Sequence, residues 1–251
     1  MNLVVDLNAD LGEGAGHDDE LLQLVSSASI ACGFHAGDPV SILASIRAAR
    51  ERGVAVGAHP SFADRENFGR MEVALPAGEA FAIVAYQLGA FQAMATAAGA
   101  RVNHVKPHGA LYNMAVRDEK LAEWIVQTVL AVDPSLLLFA PGESALERAA
   151  QSAKLRVVRE VFADRNYLAD GSLVPRTRPD ALLHDPEEAA LRVLRMLREG
   201  VVRSVEGKDV EVQAETICVH GDTPGAVEFA RSLRTSLEKN GVSIQAPRPT
   251  P

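Results

Sequence analysis

Cysteine and basic charge are both scarce in this chain of 251 residues. The two cysteines, Cys32 and Cys218, lie far apart in apolar, strand-like contexts. No disulfide framework is indicated, and two reduced thiols in a cytoplasmic protein are expected. Lysine and arginine (25) fall short of aspartate and glutamate (33), which gives a formal charge of −8 and a pI near 5.4. That deficit argues against nucleic acid or an anionic membrane as partner, because both need a basic surface. No apolar run able to span a bilayer is expected. The start, MNLVVDLNAD, has no basic stretch ahead of its apolar residues, so no secretion signal is expected either. Also missing are the G-x-x-x-x-G-K-[ST] phosphate loop, the G-x-S-x-G nucleophile elbow and the H-E-x-x-H zinc helix.

What is present is a regular alternation of strand and helix. With 47% hydrophobic residues the chain can bury a large core, and barrels of this length commonly form one domain, here residues 1–246. Strands are predicted at residues 2–8, 27–33, 54–59, 102–106, 136–140, 157–162 and 216–220. Helices are predicted at 42–52, 79–98, 118–132, 143–153, 186–199 and 224–240, several of them stopping at a glycine. Seven strands separated by helices imply parallel pairing with right-handed crossovers, either in a closed barrel or in an open doubly wound sheet. The barrel is favoured because chemistry-bearing side chains follow most strands, whereas an open sheet would gather them at one switch point. Residues 201–213 read as a β-hairpin outside the wall, 166–178 as a polar loop able to cover the mouth, and 247–251 as a mobile tail.

Each strand turns polar where it breaks into glycine or proline. Alternation sets Asp6, Asn8 and Asp10 opposite Leu3, Val5 and Leu7. By the same parity His104, Lys106 and His108 share a face, as do Glu160, Phe162 and Asp164, and Cys218, His220 and Asp222. DLNADLGEG holds more acids than helix capping needs, so Asp6 or Asp10 is read as a base or a cation ligand, and Glu13 less so. Asp38-Pro39 suits a helix start, which leaves His35 as the chemical residue of its turn. After His59, Arg65 and Arg70 offer planar forks for an anion, although an Asp64–Arg65 surface pair explains one of them equally well. HVKPHGALYN sets Lys106 between His104 and His108, where a lysine can neutralise developing charge or simply pair with Asp6 or Glu160. In CVHGDTPG, Thr223 suits a helix N-cap, and Cys218 is read as packing rather than as a nucleophile.

These motifs resemble the LamB/YcsF family, named for lactam utilisation and identified with the A component of bacterial 5-oxoprolinase. The resemblance rests on DLNADLGEG, SIACGFHAGDP, GAHPSFADRENFGR, HVKPHGALYN, FADRNYLADGSLVPR and TICVHGD, in that order along nearly the whole chain; ENFGR stands where EGFGR is expected. It implies an irregular seven-stranded (β/α) barrel of the glycoside hydrolase/deacetylase kind. It also implies ATP-dependent opening of 5-oxo-L-proline to L-glutamate, with subunits B and C as partners. In that scheme Lys106 and an arginine stabilise an oxyanion or phosphate, Asp6 or Asp10 activates water or holds a divalent cation, and His59, His108 or His220 moves protons. Asn8, His35, Arg65, Arg70, His104, Glu160 and Asp222 make up the expected binding shell. One rival is a stand-alone metal-dependent hydrolase such as a carbohydrate deacetylase, its metal held by Asp6, His59 and His108. The other is a non-catalytic component that only binds ligand.

Overall fold

The computed structural model describes residues 3–76, 78–221 and 225–249. Its strands in chain order are β1 (Leu3–Leu11), β2 (Ser27–Ala31), β3 (Ala55–His59), β4 (Val102–Val105), β5 (Leu137–Ala140), β6 (Val157–Phe162), β7 (Val201–Arg203), β8 (Asp209–Glu211), β9 (Thr216–Val219) and β10 (Val242–Ile244). Its helices are α1 (Asp18–Leu21), α2 (Pro39–Glu51), α3 (Glu79–Ala97), α4 (Gly109–Ala115), α5 (Glu119–Val132), α6 (Ala145–Ser152), α7 (Pro186–Glu199) and α8 (Ala226–Lys239).

Strands β1 to β6 and β9 close into an all-parallel barrel, since β9 pairs with β6 on one side and with β1 on the other. The seven strands match the sequence expectation; β1 runs longer than expected because it has three neighbours. Its start pairs with β10, its middle with β9 and its end with β2, a stagger that barrel closure requires. The alternation holds as well. Val5, Leu7 and Ala9 face outward into the core shared with the helices, together with Ile30, Val56, Val105, Leu138, Val161 and Ile217. β7 and β8 form the expected antiparallel hairpin beside the barrel.

Local chemistry sets the helix ends. Asp38 caps α2 through the Val40 and Ser41 amides, with Pro39 in the first turn, so its role is structural. Asp118 and Asp185 cap α5 and α7 in the same way. The sequence reading missed α1, α4 and β10, all short. The start predicted for α8 at Pro224, and its cap Thr223, lie outside the described residues. Pro247 and Arg248, placed in a mobile tail by sequence, accept hydrogen bonds from Asn103 and Arg156 through their carbonyls. Contrary to the sequence expectation, α3 is long and apolar enough, by length and composition alone, to cross a membrane. It lies in the outer layer of the barrel, with Val84, Leu88 and Phe91 buried and Tyr86 exposed.

Candidate active site

Inside the barrel the polar residues stack in layers. At the floor, Asp6 accepts hydrogen bonds from the hydroxyls of Ser26 (2.6 Å), Ser27 (2.8 Å) and Thr216 (2.6 Å). Burial, only partly offset by those hydroxyls, pushes its carboxyl up to about 6. The His104 ring lies flat on Phe139 at 4.0 Å and its Nε2 sits 3.2 Å from the Ser29 hydroxyl. Burial, reinforced by Lys106, pulls His104 down to about 3, so it stays neutral.

The middle layer is built on Lys106, which is 3% exposed. Its Nζ lies 2.8 Å from Glu160 Oε1, 2.9 Å from Asp10 Oδ1, 3.1 Å from Asn8 Oδ1 and 3.0 Å from Cys218 Sγ. Although burial opposes it, the charges of Asp10 and Glu160 hold the ammonium well above the ordinary lysine value. Tyr112, carried on α4, donates to Glu160 Oε2 at 2.7 Å. Burial pushes the Cys218 thiol well up and the Cys32 thiol to about 12, so both are neutral, and both are free. An ammonium has three N–H bonds, so Lys106 is saturated by its neighbours. It organises the acids and has no proton to spare for an incoming oxyanion.

At the mouth, Glu13 gathers three histidines. Its Oε1 is 3.0 Å from His35 Nε2, 3.1 Å from His108 Nδ1 and 3.7 Å from His59 Nε2. The turn carrying Phe68 and Gly69 closes over this group. Gly69 sits at φ +65°, and a Cβ there would lie 2.2 Å from the Ser61 hydroxyl and 2.9 Å from His35 Cβ, so only glycine fits.

Two backbone carbonyls decide the ring protons. His59 Nδ1 donates to the Lys106 carbonyl at 2.6 Å, and His108 Nε2 donates to the Phe68 carbonyl at 2.9 Å. In the neutral rings the remaining nitrogens, His59 Nε2 and His108 Nδ1, would both present lone pairs to each other across 2.9 Å. Something positive must sit there, either a proton or a cation. For the proton, His59 is the carrier: burial works against it, but Asp10 at 3.5 Å raises its pKa, whereas burial lowers that of His108. For a cation, Glu13, His35, His59 and His108 offer ligand atoms within 4.8 Å of one another. Three imidazoles and a carboxylate suit a divalent metal, and carbonyl partners on the far ring nitrogens are the usual support of metal-binding histidines. The Nδ1 of His35 is buried with no partner, so that ring is the least satisfied of the set.

A second group lies across the mouth. His220 Nδ1 donates to Asp164 Oδ2 at 2.8 Å, which turns its other nitrogen towards Asp10 and Cys218. Despite burial, His220 keeps Asp164 below the usual carboxylate range. Both groups open into one cavity of about 1560 Å³, walled by α4, the loop of residues 163–185 and the hairpin.

The structure therefore brings Asp10, His35, His59, Lys106, His108, Glu160 and His220 together, with Asn8 beneath them. Asp6 and His104 lie lower, in the floor. The metal set read from the sequence is corrected accordingly: Glu13, not Asp6, meets His59 and His108, because Asp6 faces the same way as Asp10 but enters the barrel one layer earlier. Arg65 is also corrected. Its guanidinium donates at 2.6 Å to the carbonyls of Gly33 and Gly37, holding the turn after β2, and it does not line the cavity. Arg70 lies on the rim over the Phe68 ring. Asp222 lies outside the described residues. Sequence reasoning undervalued Glu13 and left out Tyr112 and Asp164. Asp164 was visible in the parity of β6, but Tyr112 required α4.

Comparison with known proteins agrees with this architecture. The chain is 50% identical to the lactam utilization protein of Thermus thermophilus, covering 98% of this chain and 100% of that one, with a TM-score of 0.92. At 14% identity, an Enterococcus faecalis protein provisionally described as a cellobiose-phosphate cleavage protein shares the fold with a TM-score of 0.55, over 97% of each chain. A deacetylase bound to its substrate does so at 15% identity and a TM-score of 0.50, over 97% of this chain and 87% of that one. The LamB/YcsF family model matches residues 5–250, and this chain belongs to that family.

Proposed function

We propose that the chain is the A component of a 5-oxoprolinase, opening the lactam of 5-oxo-L-proline to L-glutamate with ATP and two further subunits, B and C. The observation that carries this reading is the likeness to the T. thermophilus lactam utilization protein over the whole of both chains. A five-membered lactam is a resonance-stabilised amide whose open product tends to reclose, which is why a phosphoryl donor helps. Transfer of the γ-phosphoryl to the lactam oxygen leaves ADP and an activated ring carbon. Water adds there, the C–N bond breaks as nitrogen takes a proton, and a second water releases phosphate from the resulting acyl phosphate. His220, oriented by Asp164, has a free ring nitrogen at the mouth and is the base for the first water. Once protonated, it is the acid for the departing nitrogen. Lys106 holds Asp10 and Glu160 in place, and His59 carries the positive charge that faces the carbonyl oxygen.

The test is a coupled assay for glutamate from 5-oxoproline, with and without ATP and the two partner subunits. Glutamate that depends on all of them is the expected outcome. None from the full mixture would remove the reading.

The facing lone pairs of His59 and His108 favour a second reading, a metal-dependent hydrolase acting alone. A divalent ion held by Glu13, His59 and His108, with His35 beside them, would supply Lewis acidity and lower the pKa of water. Stoichiometric tight metal in the purified chain, together with ATP-independent deacetylation, would select this reading over the first.

A further inference from the structure

Helix α3 lies in the outer layer of the barrel, yet no charged residue stands between Ala80 and Ala100. Outer helices α7 and α8 are built differently: Glu187, Glu188, Arg198 and Glu199 face solvent from the first, and Glu228, Arg231, Glu238 and Lys239 from the second. A helix that is apolar all round is ordinarily covered all round. On α3, Tyr86 is 67% exposed and Phe81 39%, and the Tyr86 ring stacks on Phe34 at 5.6 Å. The helix cannot turn these residues inward. Val84, Leu88 and Phe91 already fill the core beneath it, and the Gln87 side chain is clamped to Ser61, accepting from its amide at 3.0 Å and donating to its carbonyl at 2.8 Å.

Gly89 sits in the middle of the exposed face. Glycine weakens a helix interior relative to alanine, so its presence there calls for a reason. The chain itself supplies none: among the described residues, a Cβ at Gly89 would meet no atom within 4 Å outside the local helix backbone. A second helix crossing at close range supplies one, because small residues let two backbones approach. The face also changes character at this point. Its exposed large side chains, Phe81 and Tyr86, precede Gly89, and the exposed residues that follow, Ala90, Ala93, Thr96 and Ala97, are all small. A half-turn about an axis through Gly89, perpendicular to the helix, lays each half on the other, with Tyr86 beside the partner's Ala93 and Phe81 beside the partner's Ala97. The same rotation brings Glu79, at the start of the uncharged run, towards Arg101 just past its end, and sets the two helix dipoles antiparallel.

We infer that α3 is the contact of a two-fold dimer of this chain, its two copies antiparallel and crossing at Gly89. An interface of this symmetry must fit itself. Large residues on one half of the helix and small ones on the other meet that requirement, and the uncharged central row sets no like charges face to face. The area suffices. α3 has 19 residues and is flanked by α2 with 13 and α5 with 14. At about 1.5 Å of rise per residue and ~10 Å between axes, these three helices present roughly 700 Å² per copy. A stable dimer buries about 600–1,000 Å² per copy. The inference depends on neither functional reading.

The experiment is sedimentation velocity of the full chain, wild type and G89R, over a dilution series, with circular dichroism to confirm the fold. The wild type is expected at twice the 26.7 kDa of one chain. A side chain at position 89 meets open space in the single chain, so G89R folds, but it sets two like charges at the axis. Association should weaken by roughly a hundredfold or more. Orientation is read by oxidative crosslinking: Y86C mixed with A93C should give a disulfide-linked pair, and neither variant alone should do so. This second readout decides the matter should G89R fail to fold. A wild-type chain that stays monomeric at every concentration overturns the dimer, as does a G89R dimer as tight as the wild type. Y86C linking to itself in preference to A93C overturns the antiparallel arrangement. A monomer that floats with phosphatidylcholine vesicles, and is released from them by G89R, gives the face to a membrane and overturns the second copy as its occupant.

Discussion

Lys106 shows how much a single side chain can hold. Its ammonium lies buried between Asp10 and Glu160 at the bottom of the cavity. Replacing it strands two buried carboxylates, and breaking a buried pair in this way costs about 3–5 kcal/mol. Lys106→Met should therefore abolish turnover and also lower the melting temperature by several degrees. Adding Glu160→Gln should recover part of that stability and none of the turnover, as thermal melts beside the glutamate assay would show; full stability in the single variant would contradict the account. Asp6 gives the opposite sign of effect. Its folded pKa is raised, from 3.8 to about 6, so the stability linked to it is present below 3.8 and lost as pH rises through 6. The loss is worth roughly 3 kcal/mol. Asp6→Asn, which cannot ionise, should gain stability relative to the native chain between pH 5 and pH 8. A constant difference across that range would mean that Asp6 is not the titrating group. Strand parity read from the sequence identified which residues turn inward, including both Asp6 and Asp10. It could not set their depth, because positions along a strand on one face differ only by rise, and the layer each occupies depends on how neighbouring strands are staggered.

At the scale of elements, β3 and β4 approach closely because β3 carries Gly57. A Cβ at that position would lie 2.0 Å from His104 Nε2, so the His104 ring occupies the space a side chain would need. Gly57→Ala should force that ring off Phe139 and cost about 1–3 kcal/mol or more, the usual range for overpacking a core. Denaturant unfolding would measure it, and a change under about 0.5 kcal/mol would show the barrel interior to be softer than this geometry implies. The long elements were legible because a dozen residues repeat a period and end at Gly, Pro or an acidic cap. The short ones were not. α4 begins at Gly109 with φ +55° and owes its place to the Gly69 carbonyl, which accepts from the Ala110 amide at 2.8 Å. Nothing local announces such a helix, and Tyr112 was missed with it.

For the whole molecule, closure of the barrel and the seating of its floor are one event. β10 adds to the start of β1, Gln245 donates to the Val5 carbonyl, and Val242 is buried between them. Truncation after Gly241 should cost on the order of 3 kcal/mol, from one buried valine and a short hydrogen-bonded ladder. That would lower the melting temperature by about 6–12 °C in a chain of this size. An unshifted melt would show that the barrel closes without β10.

The sequence by itself determined the alternation of strand and helix, the inward parity of the acids and histidines, and the family, because each is written in local periodicity or in contiguous motifs. Only the tertiary structure decided the rest. It saturated Lys106, withdrew Arg65 to two carbonyls, sent Asp6 to the floor and brought Glu13 to the histidines. It also turned two of those rings to face each other, because strand stagger and backbone carbonyls from distant segments, not neighbours in the chain, set depth and proton position.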